Sequence, residues 1–257
     1  MLLAINANNT NTVFALWDGA TLSGTWRAAT EVRRTADEYV VWLDHLLALG
    51  GLSRDRVTGT IIASVVPEAN FNLRRLCREY CRSDPLIVGE PGVELGIRAL
   101  VDRPEEVGAD RLVNSVAAHD RYKGPLIVVD FGTATTFDVI DGDGNYCGGV
   151  IAPGITLSLQ ALATAAAKLP SVPVARTATV IGRSTVACMQ SGIYWGYLSL
   201  VEGLVERIKR EYGAPMRVVS TGGLAPLFEG ATPAIEKTDQ TLILWGLRLI
   251  YDRNRRA

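Results

Sequence analysis

The feature that most constrains this chain is a stretch that occurs twice. Residues 2–19, "LLAINANNTNTVFALWDG", lie over residues 126–142, "LIVVDFGTATTFDVIDG". Each copy is an apolar run, a polar turn of small residues, a second apolar run and an Asp-Gly turn. Set from the left, Asn6 falls on Asp130, Asn8 on Gly132, Asn9 on Thr133 and Thr12 on Thr136. Such runs, broken by Asn, Thr and Gly, predict strand–turn–strand hairpins. A hairpin repeated at the head of each half predicts an α/β protein of two similar domains facing a central cleft. The boundary is predicted at Lys123-Gly124, giving domains of residues 1–123 and 124–257.

The rest of the chain fits that division. "TADEYVVWLDHLLALGG" opens with a capping box, Thr35 with Glu38, and stops at Gly50-Gly51, so it predicts an amphipathic helix. A strand is predicted at 60–66, then a helix from Pro67 to about Cys81, a short strand in "PLIVG" and a helix after Asp110. The second half restarts with three strands. Helices follow at about 154–167 and 184–212, then a strand running into the glycine turn of "RVVSTGG", and a last helix in "TLILWGLRLIYDRNR". Residues 145–167 carry no charge, but Pro153-Gly154, Thr156, Ser158, Gln160 and Thr164 argue for a buried or interface helix rather than a membrane span.

Charge and cysteine usage exclude several classes. With 26 basic and 27 acidic residues nothing marks a nucleic-acid surface, and the terminal "RNRR" is too short to change that. Four cysteines without a C-x-x-C pair, and two histidines (His45, His119), argue against a zinc site and for reduced, buried thiols. That usage favours the cytoplasm, and "MLLAINANN" lacks the basic head and long apolar stretch of a secretory signal.

A strand–turn–strand unit with a polar turn can cradle phosphate, because backbone N–H groups, hydroxyls and amides converge on the anion. One such turn alone is read more readily as an ordinary hairpin; its duplication reverses that and favours two phosphate turns gripping one ligand. "STGGL" at 220–224 adds a third glycine turn suited to close approach of a flat ligand such as adenine. No G-x-x-x-x-G-K-[ST], G-x-S-x-G or H-E-x-x-H occurs. Phosphate transfer in a two-domain cleft is the class that remains.

The first turn "NANNTNTV", then "PEEVGADR", "DFGTATT", "GGVIAPG", "GRSTVACMQSG" and "STGGLAP", in this order, resemble the type III pantothenate kinases, within the acetate kinase, sugar kinase, Hsp70 and actin superfamily. The resemblance covers nearly the whole chain. It implies two domains of the actin-like ATPase (ribonuclease H-like) fold and ATP-dependent phosphorylation of pantothenate, the first step of coenzyme A biosynthesis. It also implies a homodimer, Mg²⁺ with the nucleotide and a monovalent cation, K⁺ or NH₄⁺. On it, Asp110 is the general base, since an attacking alcohol must lose a proton. Gly108, Ala109, Asp110, Arg111, Val101 and Thr185 form the substrate site, with Arg111 toward the pantothenate carboxylate and Thr185 coming from the dimer interface. Asn6, Ala7, Asn8, Asn9, Thr10, Asn11, Thr12, Val13 and Thr133 contact ATP, and Asp130 is the monovalent-cation ligand. Without the resemblance, Asp110-Arg111 reads equally as a surface ion pair near a helix start.

Two positions depart from the family. Its first turn usually reads Asp-x-Gly-Asn-Thr; here Asn6-Ala7-Asn8-Asn9-Thr10 replaces the acid by an amide and the glycine by asparagine. Asn8 is expected to be tolerated because Asn enters left-handed backbone conformations readily. Asn6 keeps an acceptor oxygen but loses the charge that favours Mg²⁺. Val101 stands where many members carry a substrate-contacting tyrosine. The alternative function is therefore a catalytically impaired relative, binding nucleotide or pantothenate as a regulatory or accessory protein. A kinase for another small hydroxy acid is a further possibility. The intact Asp110, Arg111, Asp130 and Thr133 favour the working kinase.

Overall fold

The computed structural model describes residues 1–165, 170 and 172–255. The first half runs β1 (Leu2–Ala7), β2 (Asn11–Asp18), β3 (Thr21–Ala29), α1 (Ala36–Leu49), β4 (Gly59–Ser64), α2 (Pro67–Arg75), β5 (Leu86–Ile87) and α3 (Ala109–Tyr122). The second runs β6 (Leu126–Phe131), β7 (Ala134–Ile140), β8 (Tyr146–Pro153), α4 (Ile155–Ala165), α5 (Thr185–Tyr212), β9 (Arg217–Thr221), β10 (Lys237–Thr238) and α6 (Leu242–Arg255). Residues 166 and 167, to which the sequence carries the helix of α4, lie outside the described residues.

The repeat extends to the topology. One sheet has the order β3-β2-β1-β4-β5; the other, read in the same sense, is β8-β7-β6-β9-β10. β1 is antiparallel to β2 and parallel to β4, and β6 is antiparallel to β7 and parallel to β9. The strand register corrects the alignment of the copies. Asn6 lies opposite Val13, whereas Asp130 lies opposite Thr136. The first hairpin thus has one more residue at its tip, and Thr12 corresponds to Thr135, not to Thr136. Both of those threonines are fully buried and hydroxyl-bonded, Thr12 to Thr30 and Thr135 to Tyr197.

The predicted capping box is present: Thr35 Oγ1 accepts the Glu38 N–H at 3.3 Å, and Glu38 Oε2 accepts the Thr35 N–H at 2.8 Å. α1 and α2 cover one face of the first sheet through Tyr39, Leu43, Leu47 and Leu73, against Leu3, Ile5, Phe14 and Leu16. In the second sheet Ile127, Val129, Phe131 and Phe137 pack against Tyr194, Tyr197 and Val201 of α5 and against Phe228.

The second domain predicted to run to residue 257 ends earlier. Contacts divide the chain into residues 1–120 with the residues from Thr241 onward, and residues 121–240. The cause is α6, whose Leu244, Leu247 and Ile250 join Leu2, Ala4, Trp17, Ile61 and the α3 residues Val113 and Val116 in the core on the other face of the first sheet. Gly246 permits this: a Cβ there would stand 2.3 Å from the Val113 carbonyl oxygen.

Candidate active site

In the first unit the site forms at the carboxyl ends of β1 and β4, where an α/β sheet leaves a crevice for ligands. The Asn8 N–H donates to the Asn11 carbonyl at 3.0 Å and closes the hairpin, leaving Asn9-Thr10 at its tip. Asn6 is 2% exposed, and its Oδ1 is buried without a hydrogen-bond partner among the described residues. Asn8 Oδ1 is in the same state. Buried acceptors are rarely left unmatched unless a ligand, ion or water serves them. Ala7, Thr12 and Val13 differ from the asparagines. Ala7 is fully buried, Thr12 is bonded to Thr30, and Val13 packs on the core, so at this turn they offer backbone rather than side chain.

The expectation that Asn8 adopts a left-handed conformation is not met. Neither Asn8 nor its counterpart Gly132 has a positive φ. Glycine at this place is not required by backbone strain, which is why asparagine fits.

β4 lies alongside β1, and the Val65 N–H donates to the Ala7 carbonyl at 3.0 Å. Val65 Cγ1 in turn faces Gly108, 3.7 Å from where a Cβ would be, and that same Cβ would stand 2.7 Å from Asp110 Oδ1. Gly108 therefore leaves a notch for the Asp110 carboxylate. Asp110 sits in the first turn of α3, and its Oδ1 accepts the Arg111 N–H at 2.8 Å. Burial raises its carboxyl above the usual carboxylate range, although the Arg111 N–H and guanidinium pull the other way. An acid in the first turn of a helix, with its proton affinity raised, is suited to accept a proton. Ala109 packs on the core of this unit, and Arg111 is half-buried beside Asp110. Val101 is half-buried in the irregular segment before the 3₁₀ turn of Pro104–Glu106.

In the second unit three glycine turns close on Asp130. The Gly132 N–H bonds the Ala134 carbonyl at 3.0 Å, making the Gly132-Thr133 tip. Gly154, just before α4, donates its N–H to the Thr133 carbonyl at 3.0 Å, and a Cβ on it would stand 2.3 Å from that oxygen. Gly222 has φ +94, and a Cβ on it would stand 2.4 Å from Asp130 Oδ1 and 2.7 Å from both N and O of Phe131. "GGVIAPG" and "STGG" thus serve as walls for the Asp130–Thr133 turn, a role that their motifs alone do not reveal.

Thr185 lies elsewhere in this unit. It is the exposed first residue of α5, after Ser184, whose hydroxyl caps the Ala187 N–H at 3.2 Å. Around it stand exposed apolar side chains, Ile181 (81%) and Val180 (62%) above all, with Val186. A groove of about 500 Å³ runs along α5 there, lined by Val180, Ile181, Cys188, Gly192 and Trp195. Among the described residues no three His, Cys, Asp or Glu converge as a metal site, and no helix is long and apolar enough to cross a membrane.

The model of the type III pantothenate kinase family matches residues 2–207. A type III pantothenate kinase of Rhodospirillum rubrum is 62% identical over 255 residues, 99% of each chain. Among solved structures, a Campylobacter jejuni protein assigned to the Baf family of transcriptional activators covers 99% of this chain and 100% of its own at TM-score 0.60 and 18% identity. A Sinorhizobium meliloti protein assigned as a 2-dehydro-3-deoxygalactonokinase covers 98% and 96% at TM-score 0.59 and 13% identity. These structures speak for the fold alone: two similar units of the actin-like ATPase, ribonuclease H-like type.

Proposed function

The chain belongs to the type III pantothenate kinases, and on that premise we infer that it phosphorylates pantothenate with ATP to 4'-phosphopantothenate, the first step of coenzyme A biosynthesis. The observation that carries the mechanism is the Asp110 carboxylate, held in the Gly108 notch in the unit that also presents the asparagine turn. The pantothenate hydroxyl oxygen forms the new bond to the γ-phosphorus as the bond to the β–γ bridging oxygen breaks. Its proton passes to Asp110 and ADP leaves. Arg111 pairs with the pantothenate carboxylate, a task that suits a guanidinium fork. The Asn8 side chain and the N–H groups and side chains of Asn9 and Thr10 donate to phosphate oxygens, and Thr133 is proposed as a further ATP contact.

A divalent ion bound with ATP would supply positive charge to the phosphates. The orphan Oδ1 of Asn6 suits such an ion, directly or through water, but as a neutral ligand. Asn6→Asp should therefore lower the Mg²⁺ concentration for half-maximal rate, by about threefold or more for one added charge. An unchanged requirement would show that Asn6 does not face the metal. Asn6 is also what favours the alternative of a catalytically impaired, nucleotide- or pantothenate-binding accessory protein; Asp110 in its raised state favours turnover.

Asp130 in its glycine-walled turn is proposed as the ligand of K⁺ or NH₄⁺. A coupled assay tests this: ADP should appear with pantothenate in K⁺ or NH₄⁺ and not with Na⁺ alone, and equal rates in all three would remove that role. The exposed apolar face at the start of α5 supports a homodimer, in which Thr185 reaches the partner's substrate. Ile181→Asp should then convert a dimer to a monomer in sedimentation and raise the KM for pantothenate. A monomeric wild-type protein would contradict this. Reduced thiols support a cytoplasmic location, with Cys77 buried and its pKa raised to about 12 by desolvation.

A further inference from the structure

The first turn is unusual in carrying no charge. Residues 6–13, Asn-Ala-Asn-Asn-Thr-Asn-Thr-Val, hold no acid and no base. A bound polyphosphate brings several negative charges to it, and Asn6 gives a divalent ion only a neutral oxygen. A positive side chain near this turn would compensate.

The segment after β3 offers one. It is tied to the turn twice: the Thr30 N–H donates to the Thr10 carbonyl at 3.0 Å, and the Thr30 and Thr12 hydroxyls bond at 2.9 Å. Four residues on, the Arg34 N–H closes a turn on the Glu31 carbonyl at 3.0 Å. Arg34 is half-buried as a residue, with its guanidinium reaching an exposed hydrogen bond, and it forms no ion pair among the described residues. Its partners are neutral: Nη1 donates to the Ala29 carbonyl at 3.4 Å, and Cζ lies 5.3 Å from the ring centroid of Tyr39. Glu38, the carboxylate whose field reaches Arg34, spends Oε2 on the N–H and hydroxyl of Thr35. Arg34 is steadied by an aromatic face and a carbonyl, which fix its position, and among the described residues no carboxylate hydrogen-bonds its guanidinium. The neighbouring Arg33 is exposed, and no aromatic face or carbonyl meets its guanidinium among the described residues.

We propose that Arg34 binds the phosphate chain of the nucleotide at the first turn and supplies the positive charge that the turn lacks. This rests on the kinase reading above for the identity of the ligand, and on the Thr30–Thr10 and Arg34–Tyr39 contacts for the residue. The guanidinium donates to non-bridging phosphate oxygens, while Asn8, Asn9 and Thr10 contribute neutral donors at the hairpin tip.

Calorimetric titration of the whole protein with Mg²⁺-ATP, without pantothenate, tests it. Arg34→Gln should weaken binding about tenfold, the loss of one charge-assisted contact. Arg34→Lys should recover most of the affinity, since it restores charge without the planar fork. Arg33→Gln should bind like wild type, and Arg34→Gln should keep the KM for pantothenate. Unchanged ATP affinity in Arg34→Gln would overturn the proposal. So would a loss confined to pantothenate, which would assign the arginine to the acceptor's carboxylate. Equal weakening in the Gln and Lys variants together with a lowered melting temperature would overturn it too, as packing on Tyr39 alone. A wild-type protein that binds ATP but forms no product would defeat the kinase reading and leave this titration still decisive for Arg34. One that binds no ATP would end both.

Discussion

Asp110→Asn should lower turnover by about 10²- to 10⁴-fold and leave ATP affinity within about twofold. The amide matches the carboxylate in size and can still accept the Arg111 N–H, so the start of α3 is kept. On the proposed role of Asp110, what is lost is the ability to take the hydroxyl proton. The raised pKa adds a signature in pH. The base works only when ionised, so activity should rise with pH through a limb displaced above the usual carboxylate range. The sign for stability is opposite to that of a salt-bridged acid. A carboxyl whose folded pKa is raised contributes stability below its unfolded pKa, and loses it as pH rises through the folded value. At neutral pH the ionised Asp110 therefore works against folding, and the Asn variant should melt no lower than wild type. Equal loss of turnover and ATP binding, or a lowered melting temperature, would make Asp110 a structural residue.

Gly222→Ala should destabilise the second unit by about 2–4 kcal/mol, the sum of a side chain at positive φ and an overpacked contact. Its φ is +94, and the new Cβ would press on Asp130 Oδ1 and on both polar backbone atoms of Phe131. A flexible side-chain tip could yield to it; the Phe131 backbone belongs to β6, the central strand of its sheet, and cannot do so cheaply. A fall in melting temperature of roughly 5–15 °C is expected for a unit of this size. If Asp130 holds K⁺ as proposed, the K⁺ needed for activity should also rise, because Asp130 would be displaced. Gly223→Ala is the control: nothing lies within 4 Å of its Cβ and its φ is ordinary, so stability should hardly change. Equal effects at 222 and 223 would show that the close approach to Asp130 is not what requires glycine.

Local chemistry made much of the fold legible. Thr35 and Glu38 marked the start of α1, Pro67 that of α2, and the repeated polar turns the two central hairpins. What escaped depends on partners distant in sequence. The one-residue slip between the copies lies in the tip, where no side chain is held to a face; only cross-strand pairing reveals that Thr12 matches Thr135. β3, with Gly24 and one exposed face, is a strand because β2 lies beside it. The apolar stripe of α6 promises burial without saying in which core, and Leu244, Leu247 and Ile250 chose the first sheet.

The site was legible in the same measure. Asp110 and Asp130 were singled out through the family resemblance alone, and the glycine walls around them were not foreseen. The end of β4, "ASVV", and the end of β9, "STGG", share almost no sequence. Yet Ala63 pairs with Asn6 as Thr221 pairs with Asp130, so Ser64 and Gly222 hold equivalent places in the two units. Equivalence of that kind is a property of the sheet. Arg34 was invisible for a similar reason, since its tie to the first turn runs through Thr30.

The central claim is that this chain, with Asn6 in its first turn and Asp110 as base, transfers phosphate to pantothenate. It is tested most directly by incubating the purified protein with ATP, Mg²⁺, K⁺ and pantothenate and measuring both products by mass spectrometry. 4'-Phosphopantothenate and ADP should appear in equal amounts. Binding of ATP and pantothenate with no phosphopantothenate formed at saturating Mg²⁺ would contradict it.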